Sequence, residues 1–100
     1  MKKKDENENR DLMIFTEEDA LAVLKYGGGR FVTRDGEEVI KMDYGKNNDP
    51  NYPFVGAVVH HDAWGRQELE ICSWTKKGKY LYRGKPNHLD LFIDTSSNDI

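Results

Sequence analysis

The tract Gly27-Gly28-Gly29 divides the chain into two kinds of pattern, and that division limits what it can fold into. Before the tract, Thr16 is a good N-cap, followed by Glu17, Glu18 and Asp19, which place negative charge where the helix dipole favours it. Phe15 and Ala20 stand at staple positions on either side of that cap. Leu21, Val23, Leu24 and Tyr26 supply an apolar stripe, and the glycines stop the helix. A helix this short needs a sheet to pack against.

After the tract the period becomes that of strands. Arg30–Arg34 and Glu37–Asp43 flank Asp35-Gly36, a strong hairpin signal. A two-residue turn there sets Val32 opposite Val39 and Phe31 opposite Ile40, with Phe31, Ile40 and Met42 on the core face. The polar stretch from Gly45 to Asn51 is a loop, and Pro50 and Pro53 break structure around it. Phe54–His60 is the most apolar strand and reads as central. Beyond the Asp62–Gly65 turn, Arg66–Trp74 alternates, with Leu69 and Ile71 assigned to the core and Glu68, Glu70 and Cys72 to the other face. Tyr80–Tyr82 reads as a short strand and Leu89–Ile93 as a last strand or turn. The expected fold is α+β: one N-terminal helix followed by a five- or six-stranded antiparallel meander, either a curved sheet or a small SH3-like barrel.

With 100 residues the chain has room for one domain. Residues 1–13 read as a disordered charged leader, 14–94 as the domain and 95–100 as a disordered tail. No apolar run is long enough to cross a bilayer, and the start of the chain lacks the apolar core of a secretory signal. One cysteine, Cys72, excludes an internal disulfide. These features lead to the expectation of a cytoplasmic protein.

Candidate chemistry is sparse. His60 and His61 are adjacent, so in a strand they point to opposite faces and cannot chelate together with Asp62. His88 and Asp90 do have same-face spacing and could share a site with His60 or His61, but two strand-end histidines near a turn is the plainer expectation. Cys72, between Ile71 and Ser73, reads as a small packed apolar residue. Glu68 and Glu70 share a face without the cleft a carboxylate pair needs. The glycine tract follows a helix, whereas a phosphate loop precedes one. The expectation is a protein that is not an enzyme and holds no cofactor or metal.

Charge is distributed unevenly. The formal net charge is −3, yet no acid occurs between Ile71 and Leu89, where Lys76, Lys77, Lys79, Arg83 and Lys85 stand among Trp74, Tyr80 and Tyr82. Lysines interleaved with aromatics are what single-stranded nucleic-acid or nucleotide sites use. The acidic balance of the whole chain opposes long-range attraction of a polyanion. Trp64 lies inside a turn, an unusual place for tryptophan, and exposed aromatics of that kind anchor protein contacts. Trp64, Trp74 and Tyr82 are therefore the candidate partner-binding residues.

From Gly29 to Ile93 the chain resembles a group of small proteins from bacteriophages and gut bacteria of the Bacteroides type. The shared pattern comprises Thr33-Arg34-Asp35-Gly36, Tyr52-Pro53-Phe54-Val55-Gly56, Trp74-Thr75 through Gly78 to Tyr80-Leu81, and Leu89-Asp90-Leu91-Phe92-Ile93. These are turn and core residues, so the resemblance brings no catalytic residues with it. It implies a phage or mobile-element setting, in which small proteins act in the host cytoplasm by binding a host component.

Two functional expectations follow. The first is a non-enzymatic binding protein that inhibits or regulates a host protein, with defence components among the possible targets and self-association a further possibility. The alternative is a nucleotide or single-stranded RNA module on the basic window 74–85.

Overall fold

The structure is a computed structural model and describes residues 12–81 and 85–96. The elements are β1 (Leu12–Ile14), α1 (Glu17–Tyr26), β2 (Arg30–Thr33), β3 (Glu38–Tyr44), β4 (Phe54–His61), β5 (Gln67–Trp74) and β6 (Leu91–Asp94). They form one helix and an open six-stranded antiparallel sheet in the order β1-β6-β2-β3-β4-β5. The α+β class holds, as an open sheet that does not close into a barrel. Only β2 to β5 form a meander, because β6 inserts between β1 and β2 and pairs with both.

The helix forms where its caps put it. The Thr16 side chain accepts a hydrogen bond from the Asp19 N–H, and the Gly27 N–H donates to the Val23 carbonyl with Gly27 at φ 81°. Ala20, Leu21 and Val23 pack on the sheet, while Tyr26 is exposed and Leu24 largely so. The packing stripe is thus narrower than the sequence pattern. Glu17 anchors the helix by accepting a hydrogen bond from the Tyr44 hydroxyl.

Register departs from expectation in one instructive way. Phe31 pairs with Val39, and Val32 with Glu38, one residue away from the two-residue turn. The loop is Arg34-Asp35-Gly36, closed by Thr33 N–H to the Glu37 carbonyl and Gly36 N–H to the Thr33 carbonyl, with Gly36 at φ 89°. This is a three-residue hairpin loop ending in a left-handed glycine. Val39 takes the core position expected for Ile40, since a one-residue slip exchanges faces. A bulge between Ile40 and Asp43, with Lys41 at φ 57°, then reverses the phase and returns Met42 and Tyr44 to the core.

On the core face lie Phe31, Val39, Phe54, Val58, Cys72, Trp74, Leu91 and Ile93, with Phe15 and Ala20 above them. The Phe15 ring meets Phe54 edge-on at 5.0 Å between centroids. Trp74 is fully buried, and its indole N–H donates to the Leu89 carbonyl at 2.7 Å. Since Trp74 and Cys72 face inward, alternation turns Leu69 and Ile71 outward, the reverse of the sequence assignment.

Three other expectations are corrected. Leu12 and Met13 belong to β1 and not to a leader, because they pair with Asp94 and Ile93. Tyr80 and Leu81 form a bend, as Tyr80 N–H is taken by the Asp90 carboxylate instead of a ladder partner. Leu89 lies in a turn, and the last strand starts at Leu91. The rest of the leader, Tyr82 and the end of the tail lie outside the described residues.

The Asp62–Arg66 and Thr75–Lys79 turns repeat the Thr33–Glu37 construction. Each has the first residue's N–H bonded to the carbonyl four residues on, a glycine N–H returned to the first carbonyl, and a side-chain oxygen of Thr or Asp capping the loop. The glycines are not equivalent. A Cβ on Gly65 (φ 81°) meets nothing within 4 Å, whereas one on Gly78 (φ 74°) lies 2.6 Å from Phe15 Cγ. Gly65→Ala should cost about 1 kcal/mol, from backbone strain alone. Gly78→Ala should cost roughly 3 kcal/mol, because Phe15 must also move. Urea unfolding of the two variants checks this; equal losses would contradict the packing of Gly78 on Phe15.

Candidate functional site

Because α1 covers one face of the sheet, the opposite face is built from the other phase of every strand. Across it run Leu12 and Ile14 (β1), Phe92 (β6), Val32 (β2), Ile40 (β3), Ala57 and Val59 (β4), and Leu69 and Ile71 (β5). No described helix or strand lies over this face. Val32, Ala57 and Val59, in the middle of the face, are buried. The margins are not: Ile14 is 78% exposed, Ile71 72% and Leu69 53%. Exposed apolar side chains thus stand at both edges of this face, on β1 and on β5, and such patches are candidate contact surfaces.

Trp64 stands at the end of the β4–β5 hairpin and is 79% exposed. Its position is held from below. Asp62 Oδ1 accepts from the N–H groups of Trp64 and Arg66, both at 2.9 Å, and Oδ2 accepts from Arg66 Nε at 2.9 Å. The Arg66 N–H bond, reinforced by that of Trp64, holds the Asp62 carboxyl below its ordinary range. The Arg66 guanidinium lies 5.4 Å from the Trp64 ring centroid and stacks on it. Trp74, the second candidate contact residue, belongs to the core, and its indole is not available to a partner. Tyr82, the third, lies outside the described residues.

The basic residues separate. Lys76 and Lys85 are exposed on different turns, and Arg83 lies outside the described residues. Lys77 and Lys79 instead converge with Arg34, which sequence reading did not single out, on a cleft of about 260 Å³. Phe92, Leu91 and Ile14 form its apolar lining. Arg34 lies 5.2 Å over the Phe92 ring, with Nη2 3.3 Å from Asp90 Oδ2 and Nε donating to the Asn87 carbonyl at 3.3 Å. Asp90 is buried, and its carboxylate also accepts from Tyr80 N–H and Asn87 N–H at 2.9 Å each. Burial raises its pKa, but these bonds and the Arg34 charge outweigh that and keep the carboxyl low.

His60 sits on the core face at the outer end of β4. Its Nδ1 is 2.7 Å from Glu37 Oε2, and its Nε2 is 2.7 Å from Glu70 Oε1. Both nitrogens are therefore engaged by carboxylates. His61 points to the other face, beside Gln67, as adjacent strand residues must. His88 stands exposed in a turn. Among the described residues no group of three or more His, Cys, Asp or Glu side chains is arranged to hold a metal ion. Cys72 is buried; desolvation, with Glu70 adding to it, pushes its thiol up to about 11, so at neutral pH it is a packed thiol and not a nucleophile. Glu68 is exposed and shares a face with Glu70.

The chain matches no protein family, no curated protein and no solved structure in such comparisons. Among the described residues no helix is long and apolar enough to cross a membrane.

The Glu37 and Glu70 hydrogen bonds raise the His60 pKa above its ordinary 6.5, against a small opposing effect of burial. A raised folded-state pKa stabilises the protein below pH 6.5, and that contribution is lost as pH rises through the folded value. The wild-type protein should therefore exceed His60→Gln in melting temperature at pH 5.5–6, with the gap closing toward pH 8. A gap that is constant or widens with pH would contradict the carboxylate bridge.

Proposed function

We propose that this is a small non-enzymatic binding protein that acts by protein–protein contact, inhibiting or regulating a host component. The phage or mobile-element setting implied by the resemblance of residues 29–93 supports that direction, with a defence component as one class of target. The observation that carries the reading is a sheet face over which no described helix or strand lies, with Ile14, Leu69 and Ile71 exposed at its edges. Trp64 adds a rigidly mounted aromatic at the end of the adjacent hairpin.

The energetic logic is that of an interface core. Burying one Leu or Ile side chain against a partner contributes about 1.5–3 kcal/mol. A few such anchors supply most of the binding energy of ordinary interfaces. Replacing one by lysine forfeits that gain and also requires a charge to be desolvated. Arg30 and Arg34, both about half exposed, place a cation at each end of β2.

Affinity capture with the immobilised protein, read by mass spectrometry, tests the reading. A partner should be retained by the wild-type chain and lost in Ile71→Lys and Ile14→Lys, each weakening binding by roughly 2–3 kcal/mol. Lys85→Ala, away from the face, should capture it as well as wild type. Capture unaffected by both lysine substitutions, or no partner at all, would contradict the reading.

A further inference from the structure

The open face has a polarity of charge that restricts what can occupy it. At its β1/β6 margin, Arg34, Lys77 and Lys79 come from two different turns and meet at one cleft beside Ile14 and Phe92. Lys77 and Lys79 have no acidic partner among the described residues. The acid of the cleft, Asp90, is buried, and its oxygens are occupied by two backbone N–H groups and by Arg34. It fixes Arg34 in place rather than cancelling the lysines. Arg34 commits Nε and Nη2 to this arrangement, and its Nη1 donors are engaged by no described residue. A guanidinium fastened in this way has little freedom left to lose when a carboxylate docks on it.

We propose that this cleft receives an acidic segment of a partner protein, in which carboxylates alternate with aliphatic side chains. The carboxylates meet Arg34, Lys77 and Lys79, and the aliphatic groups cover Ile14 and Phe92. The inference rests on the reading of the open face as a protein-binding surface and gives its partner a chemistry. Two observations favour an acidic peptide over a nucleic acid. Among the described residues, Trp74, the tryptophan of the basic window, is buried and not available to stack on a base. The chain as a whole is acidic, with a formal net charge of −3, so a long polyanion is repelled outside the cleft.

The test is fluorescence anisotropy of the full chain with three labelled probes. They are a short peptide alternating glutamate with leucine, the same peptide with lysine for glutamate, and an oligouridine. The glutamate peptide should bind, the lysine peptide should not, and binding should weaken from low salt to about 0.15 M. The double variant Lys77→Glu, Lys79→Glu should raise the peptide Kd roughly tenfold or more. Lys77 is exposed and Lys79 half-buried, and neither forms an ion pair with a described residue, so thermal melting of that variant should stay close to wild type. No binding of the glutamate peptide, or binding unchanged in the double variant, would overturn the proposal. Tighter binding of oligouridine through the same lysines would overturn it in favour of a nucleic-acid site. The Ile71→Lys variant separates the two readings: it lies at the far margin, so it should spare the glutamate peptide while abolishing capture of the full partner.

Discussion

A single short helix must cover a wide sheet, and much of this molecule follows from that mismatch. Ten residues of α1 make a rod about 15 Å long. Six strands at their usual spacing extend roughly 24 Å across. One helix can therefore close one face and cannot close two. The core concentrates where α1 and Phe15 meet the sheet, around Phe54, Trp74 and Ile93. The opposite face keeps the apolar residues that strand alternation places there, and no helix among the described residues covers it. Even the core depends on a correction within β3, where the bulge at Lys41 shifts the inward phase from Val39 to Met42 and Tyr44. Gly56 faces that bulge, and a Cβ there would lie 2.9 Å from Val39 Cγ1.

The turns turn the sheet into a display. The Thr33–Glu37, Asp62–Arg66 and Thr75–Lys79 loops share one construction, a side-chain oxygen at the start and a left-handed glycine at the fourth position. Arg34, Trp64 and Lys77 all occupy the short loop between those two fixed points. Their loops are held by hydrogen bonds from the residues at the two fixed points, so their side chains are not needed to form the turn. Function located on such loops over a rigid sheet is a common arrangement. Here one loop presents an aromatic and the other two present cations, so the polar margins of the open face differ at its two ends.

How much of this was legible beforehand depended on how local the determinant was. The helix was, since Thr16, the acidic first turn and Gly27 all act within a few residues. The α+β class was legible for the same reason. The hairpin at Asp35-Gly36 was found, but its register was misplaced by one, because the Thr33 hydroxyl and a three-residue loop compete with the shorter turn. The recurrence of Thr or Asp three residues before Gly, in Thr33, Asp62 and Thr75, was the signal that could have fixed it. The face of β5 was decidable in principle: Trp74 and Cys72 share one phase, Leu69 and Ile71 the other, and the larger aromatic wins the core. The pairing of β6 with β1 and β2 was not, since it joins segments distant in sequence. The same holds for Arg34 with Lys77 and Lys79, and for His60 between Glu37 and Glu70, which adjacent strands bring together.

The central claim is that one face of the sheet is closed and the other open, and hydroxyl-radical footprinting of the purified protein reads it directly. Oxidation should be fast at Trp64, Ile14, Leu69 and Ile71 and slow at Trp74, Phe31 and Val58. The comparison of Trp64 with Trp74 is the sharpest, because the side chains are chemically identical and only their burial differs. Protection of Ile14, Leu69 and Ile71 to the level of Val58, or rapid oxidation of Trp74, would contradict the account.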